Sequence, residues 1–306
     1  MTSAAVSAPG TPGHARTRKI WMDGALVDPA EARVSVYDHG LLYGDGVFEG
    51  LRAYGGRVFK LDSHLERLEA SAAGIRLRIP YTRAQVAQAV RDTVAACGMP
   101  DCYIRLLVTR GVGSLGLNPN SCPKAGVVVI ADTIQLYPPE LYRTGMKVVV
   151  AKRPRIPIEC LDPAIKSLNY LNNILAKCEA IDAGVLEAIM LNLDGEVSEC
   201  TGDNIFAIKG ERISTPPTSA GILHGITRQF VIDELAPALG MRVEERPMRL
   251  DELYAADEVF LTGTAAEIIG VSAIGDRTIG SGCMGPVSKK LEAEFRRRIQ
   301  AGAPED

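Results

Sequence analysis

The sequence predicts an α+β protein of two domains, and three observations carry that expectation. Two-residue hairpin turns occur in both halves, at Gly55-Gly56 and Asp194-Gly195. Amphipathic helical stripes are interspersed with these hairpins, without the regular strand–helix alternation of a doubly wound sheet. The chain has 306 residues, of which 46% are hydrophobic, enough to bury two cores. Thirty-four Lys and Arg stand against 37 Asp and Glu, a net charge of −3, which argues against a disordered chain and against nucleic-acid binding by bulk positive charge. Of the 34 basic residues only 10 are Lys.

Residues 1–18 are dominated by Ala, Ser, Pro, Gly, Thr and Arg without an apolar run. They are expected to form a disordered tail, not a signal peptide. A strand is expected at Lys19–Met22 and another at Arg33–Tyr37, then the hairpin Leu51–Tyr54 and Arg57–Lys60. Ser63 and Glu66 have capping-box spacing ahead of Leu65, Leu68, Ala72 and Ile75. Thr82 and Gln85 repeat that spacing ahead of Val86, Val90, Val94 and Cys97, with Gly98 as the stop. Strands follow at Tyr103–Thr109 and Val127–Ala131. The Leu136-Tyr137-Pro138-Pro139 stretch then marks a boundary between an N-terminal domain, 19–136, and a larger C-terminal one, 137–306. Further strands are expected at Lys147–Ala151, Ala188–Leu193, Val197–Cys200, Asn204–Ile208 and Val259–Thr262. Helices are expected around the stripe Leu171, Leu175, Cys178 and Ile181, over Thr227–Leu239 with Pro237 a possible early end, and over Val287–Ile299.

The seven Cys, an odd number with no CxxC pair, fit reduced thiols in a cytoplasmic protein better than a disulfide framework or a zinc site. No run approaches 18 apolar residues, so no transmembrane helix is expected. His39, His64 and His224 are scattered and read as structural, not as metal ligands.

Several residues could carry chemistry. Lys166, in Ile165-Lys166-Ser167-Leu168-Asn169-Tyr170, is either a surface lysine near a helix start, the commoner case, or a nucleophilic amine. Glu199 alternates with Val197 on a strand leaving a hairpin and points inward with it, which calls for a partner: a structural ion pair or a functional acid. Gly225-Ile226-Thr227-Arg228 opens a helix and could bind an anion, as could the small turn Thr262-Gly263-Thr264-Ala265-Ala266. Each turn alone is weak. Tyr103 and Arg105 share a strand face, and an inward Arg needs an anion. Arg67 lies beside the Leu65 and Leu68 stripe, where its ordinary role is a solvated charge.

Seven segments in order resemble the fold type IV pyridoxal-phosphate (PLP) aminotransferases, of the D-amino acid aminotransferase-like architecture, and most of all the branched-chain amino acid aminotransferases. They are Tyr43–Gly50, His64–Leu68, Tyr103–Arg105, Ile165–Tyr170, Val197–Glu199, Gly225–Arg228 and Gly263–Glu267, within a span of about residues 19 to 300. The resemblance implies pyridoxal 5′-phosphate at the domain interface. Lys166 would hold it as a Schiff base and shuttle the substrate α-proton, Glu199 would pair with the ring nitrogen and Tyr170 with the 3′ oxygen. Arg67, Leu223, Ile226, Thr227 and Thr264 would complete the cofactor site.

On the substrate side the resemblance implies an apolar pocket of Tyr43, Phe48, Tyr103, Leu115, Leu117 and Tyr137. Arg105 would receive the side-chain carboxylate of glutamate, and the Ala265 turn the α-carboxylate. In this family the residues around Tyr43 and Leu115–Leu117 come from the partner subunit, so a homodimer is implied. Cys200 departs from the glycine of many members, adding bulk beside Glu199. The implied reaction is ping-pong transfer of the amino group of Leu, Ile or Val to 2-oxoglutarate. The alternatives are a D-amino acid or (R)-amine transaminase, and a C–N lyase similar to aminodeoxychorismate lyase.

Overall fold

The structure, a computed structural model, describes residues 18–134, 137–302 and 304. Most of the tail expected over residues 1–18 lies outside the described residues; Arg18 is described and pairs with Asp132. The first half holds β1 (Ile20–Met22), β2 (Ala25–Val27), α1 (His39–Tyr43), β3 (Gly46–Tyr54), β4 (Arg57–Val58), α2 (Leu61–Gly74), α3 (Arg83–Cys97), β5 (Cys102–Thr109) and β6 (Gly126–Asp132). Its six strands form one antiparallel sheet in the order β2-β1-β6-β5-β3-β4.

The second half holds α4 (Pro139–Thr144), β7 (Met146–Val150), α5 (Leu171–Asp182), β8 (Glu187–Leu191), β9 (Val197–Cys200), β10 (Asn204–Lys209), β11 (Arg212–Thr215), α6 (Ile226–Phe230), α7 (Ala236–Ala238), β12 (Val243–Glu245), α8 (Leu250–Tyr254), β13 (Glu258–Gly263), β14 (Glu267–Ile274), β15 (Arg277–Thr278) and α9 (Pro286–Gln300). Its sheet runs β12-β11-β10-β13-β14-β7-β8-β9, with β15 on β14. Three of its pairings are parallel: β11 with β12, β14 with β7, and β7 with β8.

Local chemistry explains much of this. Gly55 and Gly56 both have positive φ, +57° and +79°, as a two-residue turn matched to strand twist requires. Thr82 caps α3 with both bonds of its box in place: it accepts from the Gln85 N–H, and the Gln85 side chain accepts from the Thr82 N–H. Leu65, Leu68 and Ala72 of α2 and Val86, Val90, Val94 and Cys97 of α3 are buried in one core with β3, β5 and β6.

Four expectations are corrected. Arg33–Tyr37 is not a strand: Val34, Val36 and Tyr37 are exposed, and Asp38 N–H closes a turn on the Ser35 carbonyl before Asp38 caps α1. The Ser63–Glu66 spacing does not mark a helix start. Helix α2 begins at Leu61 behind Lys60, whose φ is +50°, because β4 and the Lys60 N–H bond to the Pro304 carbonyl deliver the chain there. Leu171, Leu175, Cys178 and Ile181 of α5 face outward; Ala176 and Ala180 are the buried side, small enough to let the helix approach β7 and β8 closely. Pro237 does not end its helix early. Residues Val231–Leu235 form a π turn between α6 and α7, and that turn accommodates a residue without an N–H.

Thr82→Ala removes a helix cap whose partners are in place. It is expected to lower stability by about 1 kcal/mol, seen as a shifted urea midpoint with an unchanged slope.

Candidate active site

The position of Lys166 is set by the first sheet, although the residue belongs to the second half. Phe48 N–H donates to the Lys166 carbonyl at 3.0 Å and Leu168 N–H to the Gly46 carbonyl at 2.9 Å. The Lys166 N–H donates to Ser71 Oγ of α2 at 3.1 Å. Thus residues 166–168 run beside β3 like an extra strand. The Lys166 amine enters a cavity of about 260 Å³ between the two halves. There it lies 3.2 Å from the Tyr170 hydroxyl and 4.6 Å from the centre of the Phe48 ring.

Arg67 comes to the same cavity from α2. It is held by a bidentate pair with Glu49, Nε to Oε1 and Nη2 to Oε2, each at 2.7 Å, and its Nη1 donates to the His224 carbonyl. Glu49 is fully buried. Burial alone would raise its carboxyl, but Arg67 and His64 outweigh it and hold the group well below the usual carboxylate range. His64, whose own pKa burial lowers, donates from Nδ1 to Glu49 at 2.8 Å.

Glu199 stands on β9 with both oxygens engaged. Oε1 accepts from Arg155 Nε at 2.9 Å, and Oε2 from the Leu223 N–H at 3.0 Å and Asn204 Nδ2 at 3.1 Å. Burial pushes its carboxyl above the ordinary value, against the opposing pull of Arg155 and the Leu223 N–H. Arg155 is itself positioned by the side-chain oxygens of Asn172 and Asn173. Arg155, Glu49 and Asn204 were not singled out from the sequence. The inward Glu199 demanded a partner, but nothing local showed which residue supplied it, and Arg67, read as a solvated charge, is held on buried Glu49 instead.

The first turn of α6 presents Ile226 and Thr227 to the cavity, and the loop between β13 and β14 presents Thr264 and Ala265. The leading N–H groups of a helix have no acceptor within it. A Cβ on Gly225 would collide with Asn204 Oδ1, so the glycine keeps this turn closed against the wall. Phe48, Tyr103 and Arg105 line the opposite side. The Tyr103 ring packs over Gly50, where any side chain would strike its hydroxyl. The Arg105 guanidinium lies 4.6 Å from the Phe48 ring centre and 5.4 Å from that of Tyr103. Among the described residues no carboxylate pairs with it.

The remaining expected residues lie elsewhere. Tyr137 does not line the cavity. It is buried in the second core, and its hydroxyl donates to Asp203 at 2.8 Å and lies 3.3 Å from Glu187. Its partners there, Asp203 and the core around Met146 and Val148, belong to the second half of the chain. Tyr43, Leu115 and Leu117 also lie outside the cavity and are 39%, 69% and 82% exposed; the Gly116 N–H donates to the Tyr43 hydroxyl, which joins the two loops.

Asp203 lines the cavity beside Glu199. Burial first, then the charge of Glu187, pushes its carboxyl up to about 7. The folded protein therefore binds this proton more tightly than the unfolded chain, so this group's effect on stability is most favourable at low pH and declines as pH rises through about 7. Relative to Asp203→Asn, the parent protein is expected to lose stability between about pH 4 and 7 and to change little above that. A stability difference independent of pH in paired urea titrations would contradict this.

Comparison with known proteins agrees with the geometry. The profile of the family described as "Amino-transferase class IV" matches residues 46–274. A Methanocaldococcus jannaschii protein with the provisional name branched-chain-amino-acid aminotransferase is 48% identical over 278 residues, 91% of this chain and 95% of its own length. The crystal structure of the Escherichia coli branched-chain amino acid aminotransferase aligns with a TM-score of 0.91 at 33% identity, covering 95% of this chain and 97% of that one. That of the Thermobaculum terrenum branched-chain amino acid aminotransferase in its PLP form aligns at 0.85 and 30% identity, covering 94% and 95%. The fold, the arrangement around Lys166 and a match over most of the sequence give one answer: the chain belongs to the class IV amino-transferase family.

Proposed function

We propose that the protein is a pyridoxal 5′-phosphate-dependent aminotransferase that transfers the amino group of Leu, Ile or Val to 2-oxoglutarate. One observation carries the reading. A single cavity joins a lysine amine, a buried carboxylate and two anion-binding turns to a second cation, Arg105, that has no carboxylate of its own among the described residues. The branched-chain names of the relatives support it, as does the PLP form of one of the solved structures. Nothing comparable favours the D-amino acid, (R)-amine or lyase alternatives.

The residues present fit the cofactor. Thr262 Oγ1 is buried on the cavity wall with no partner among the described residues, and the leading N–H groups of α6 are likewise open, so the site has anion-binding capacity to spare. Arg67, Ile226, Thr227 and Thr264 would hold the phosphate, Glu199 and the Leu223 backbone the ring nitrogen's side, Tyr170 the 3′ oxygen, and Lys166 the reactive carbon. When bound, the cofactor supplies the sink for the electrons left as the substrate Cα–H bond breaks.

The protein's own groups do the rest. With the cofactor bound, Lys166 Nζ as a free base would take the proton from the substrate Cα. Tyr170, within hydrogen-bond reach, orients that amine. Glu199 holds a proton at the ring nitrogen, and Arg155 keeps the carboxylate in place. Phe48 and Tyr103 shield the reacting carbon from water and receive a branched aliphatic side chain. The Ala265 turn takes the α-carboxylate, and Arg105 takes the distal carboxylate of the oxo acid in the second half-reaction.

A homodimer in the cytoplasm belongs to the same proposal. Tyr43, Leu115 and Leu117 project away from the cavity of their own chain, and Leu171, Ile174, Leu175 and Ile181 make an exposed apolar face on α5. Contact with a second copy would cover such surfaces. No helix among the described residues is long and apolar enough to cross a membrane.

Lys166→Ala is expected to abolish turnover together with the visible absorption of the bound cofactor; a variant keeping both would exclude this role. With 2-oxoglutarate as acceptor, L-Leu is expected to be a donor and D-Ala not. Turnover of D-Ala alone would replace the substrate assignment.

A further inference from the structure

Alternate residues of a strand share a face, so the side of β3 that lines the cavity with Phe48 and Gly50 continues into Arg52 and Tyr54. Both meet Glu267. The Tyr54 hydroxyl donates to Glu267 Oε1 at 2.8 Å, and Arg52 Nη1 lies 3.0 Å from the same oxygen. From the other side, Arg296 Nη2 of α9 lies 2.7 Å from Oε2. Arg52 Nη1 also reaches the Ala265 carbonyl at 3.4 Å. Burial, and then the charge of Glu267, raises Tyr54 well above the ordinary phenol value, so it remains a donor.

Glu267 is 2% exposed and has φ +58°. It pairs with Gly263 and so closes the three-residue loop Thr264-Ala265-Ala266. That closing position ordinarily takes glycine, and a side chain there strains the backbone. A glycine would avoid the strain but could not tie the loop to β3 and α9. The carboxylate therefore keeps a strained loop in one place relative to the wall formed by Phe48 and Tyr103.

We infer that Glu267 is a positioning residue. By tying the Thr264–Ala265 loop to Arg52 and Tyr54 of β3 and to Arg296 of α9, it sets how tightly the cavity holds the α-carboxylate of its amino acid. This rests on the proposed role of the Ala265 turn as the carboxylate site. Lys166 and Glu199 stand on other elements, so the tie acts on binding and leaves proton transfer alone.

The test uses the full-length protein loaded with pyridoxal 5′-phosphate and 4-methylvalerate, a carboxylate without an amine, as a calorimetric probe. In Glu267→Gln the Kd for the probe is expected to rise about tenfold, with KM for L-Leu rising in parallel. The kcat and the visible absorption band should stay within about twofold. Arg296→Gln, on a half-exposed helix face, should shift Kd the same way by about two- to threefold, and it decides the matter should Glu267→Gln not fold. An unchanged Kd in the folded variants, or a fall in kcat at constant KM, would overturn the positioning role while leaving the carboxylate site intact. A parent protein that turns over L-Leu but fails to bind the probe would remove the carboxylate site and this role with it.

Discussion

Residues 166 to 168 lie along the first half of β3, bonded to it through the Lys166 carbonyl and the Leu168 N–H, and tie the second half of the chain to the first sheet at the point where chemistry is expected. On its other side β3 pairs with β5 over eight residues from Gly46 to Ala53. The lysine is thus fixed to a long strand of the N-terminal sheet, while Glu199, α6 and the β13–β14 loop arrive from the C-terminal half. The cavity is the gap these two sets of elements leave. Gly46 makes the approach feasible, because a Cβ there would run into the Val108 carbonyl and the Leu168 side chain.

Around that gap two of the charges are held from behind. Arg67 leans on Glu49, which leans on His64; Glu199 leans on Arg155, which is steadied by two asparagines. A charge in a poorly solvated interior must be compensated, and such pairs also fix where each group points. Arg105 is not so held: among the described residues the faces of Phe48 and Tyr103 meet it in place of a carboxylate. Aromatic faces compensate a guanidinium in part. The remainder is an affinity for an incoming anion, which suits a site that must accept both a monocarboxylic amino acid and a dicarboxylic oxo acid.

The same economy of placement governs the walls. Gly50 lets Tyr103 lie across β3, Gly225 lets α6 begin against Asn204, and Glu267 holds a loop that a smaller residue would leave untied. Tyr137, expected in the pocket, is instead buried against Asp203, which lines the cavity, and Glu187, which does not. Its hydroxyl donates to Asp203, while Glu187 also accepts from the Ala188 and Thr201 N–H groups.

By itself the sequence determined what depends on neighbours in the chain. The order of the motifs that hold Lys166, Tyr170, Glu199 and the turns at Gly225 and Gly263 carried the family resemblance; the Gly55-Gly56 turn, the Thr82 cap and the stripes of α2 and α3 were legible in their own right. Each of these rests on backbone geometry or on residues a few positions apart. Tertiary structure alone decided the rest. The outward turn of the α5 stripe, the exposed course of residues 33–37 and the start of α2 at Leu61 follow from which surfaces meet, which periodicity does not encode. So do the partners of the buried charges: Glu49 is 18 residues from Arg67, and Arg155 is 44 from Glu199. Glu267 shows the limit most clearly. Its positive φ and its three partners, Arg52, Tyr54 and Arg296, come from segments far apart in the chain, and only folding brings them to one carboxylate.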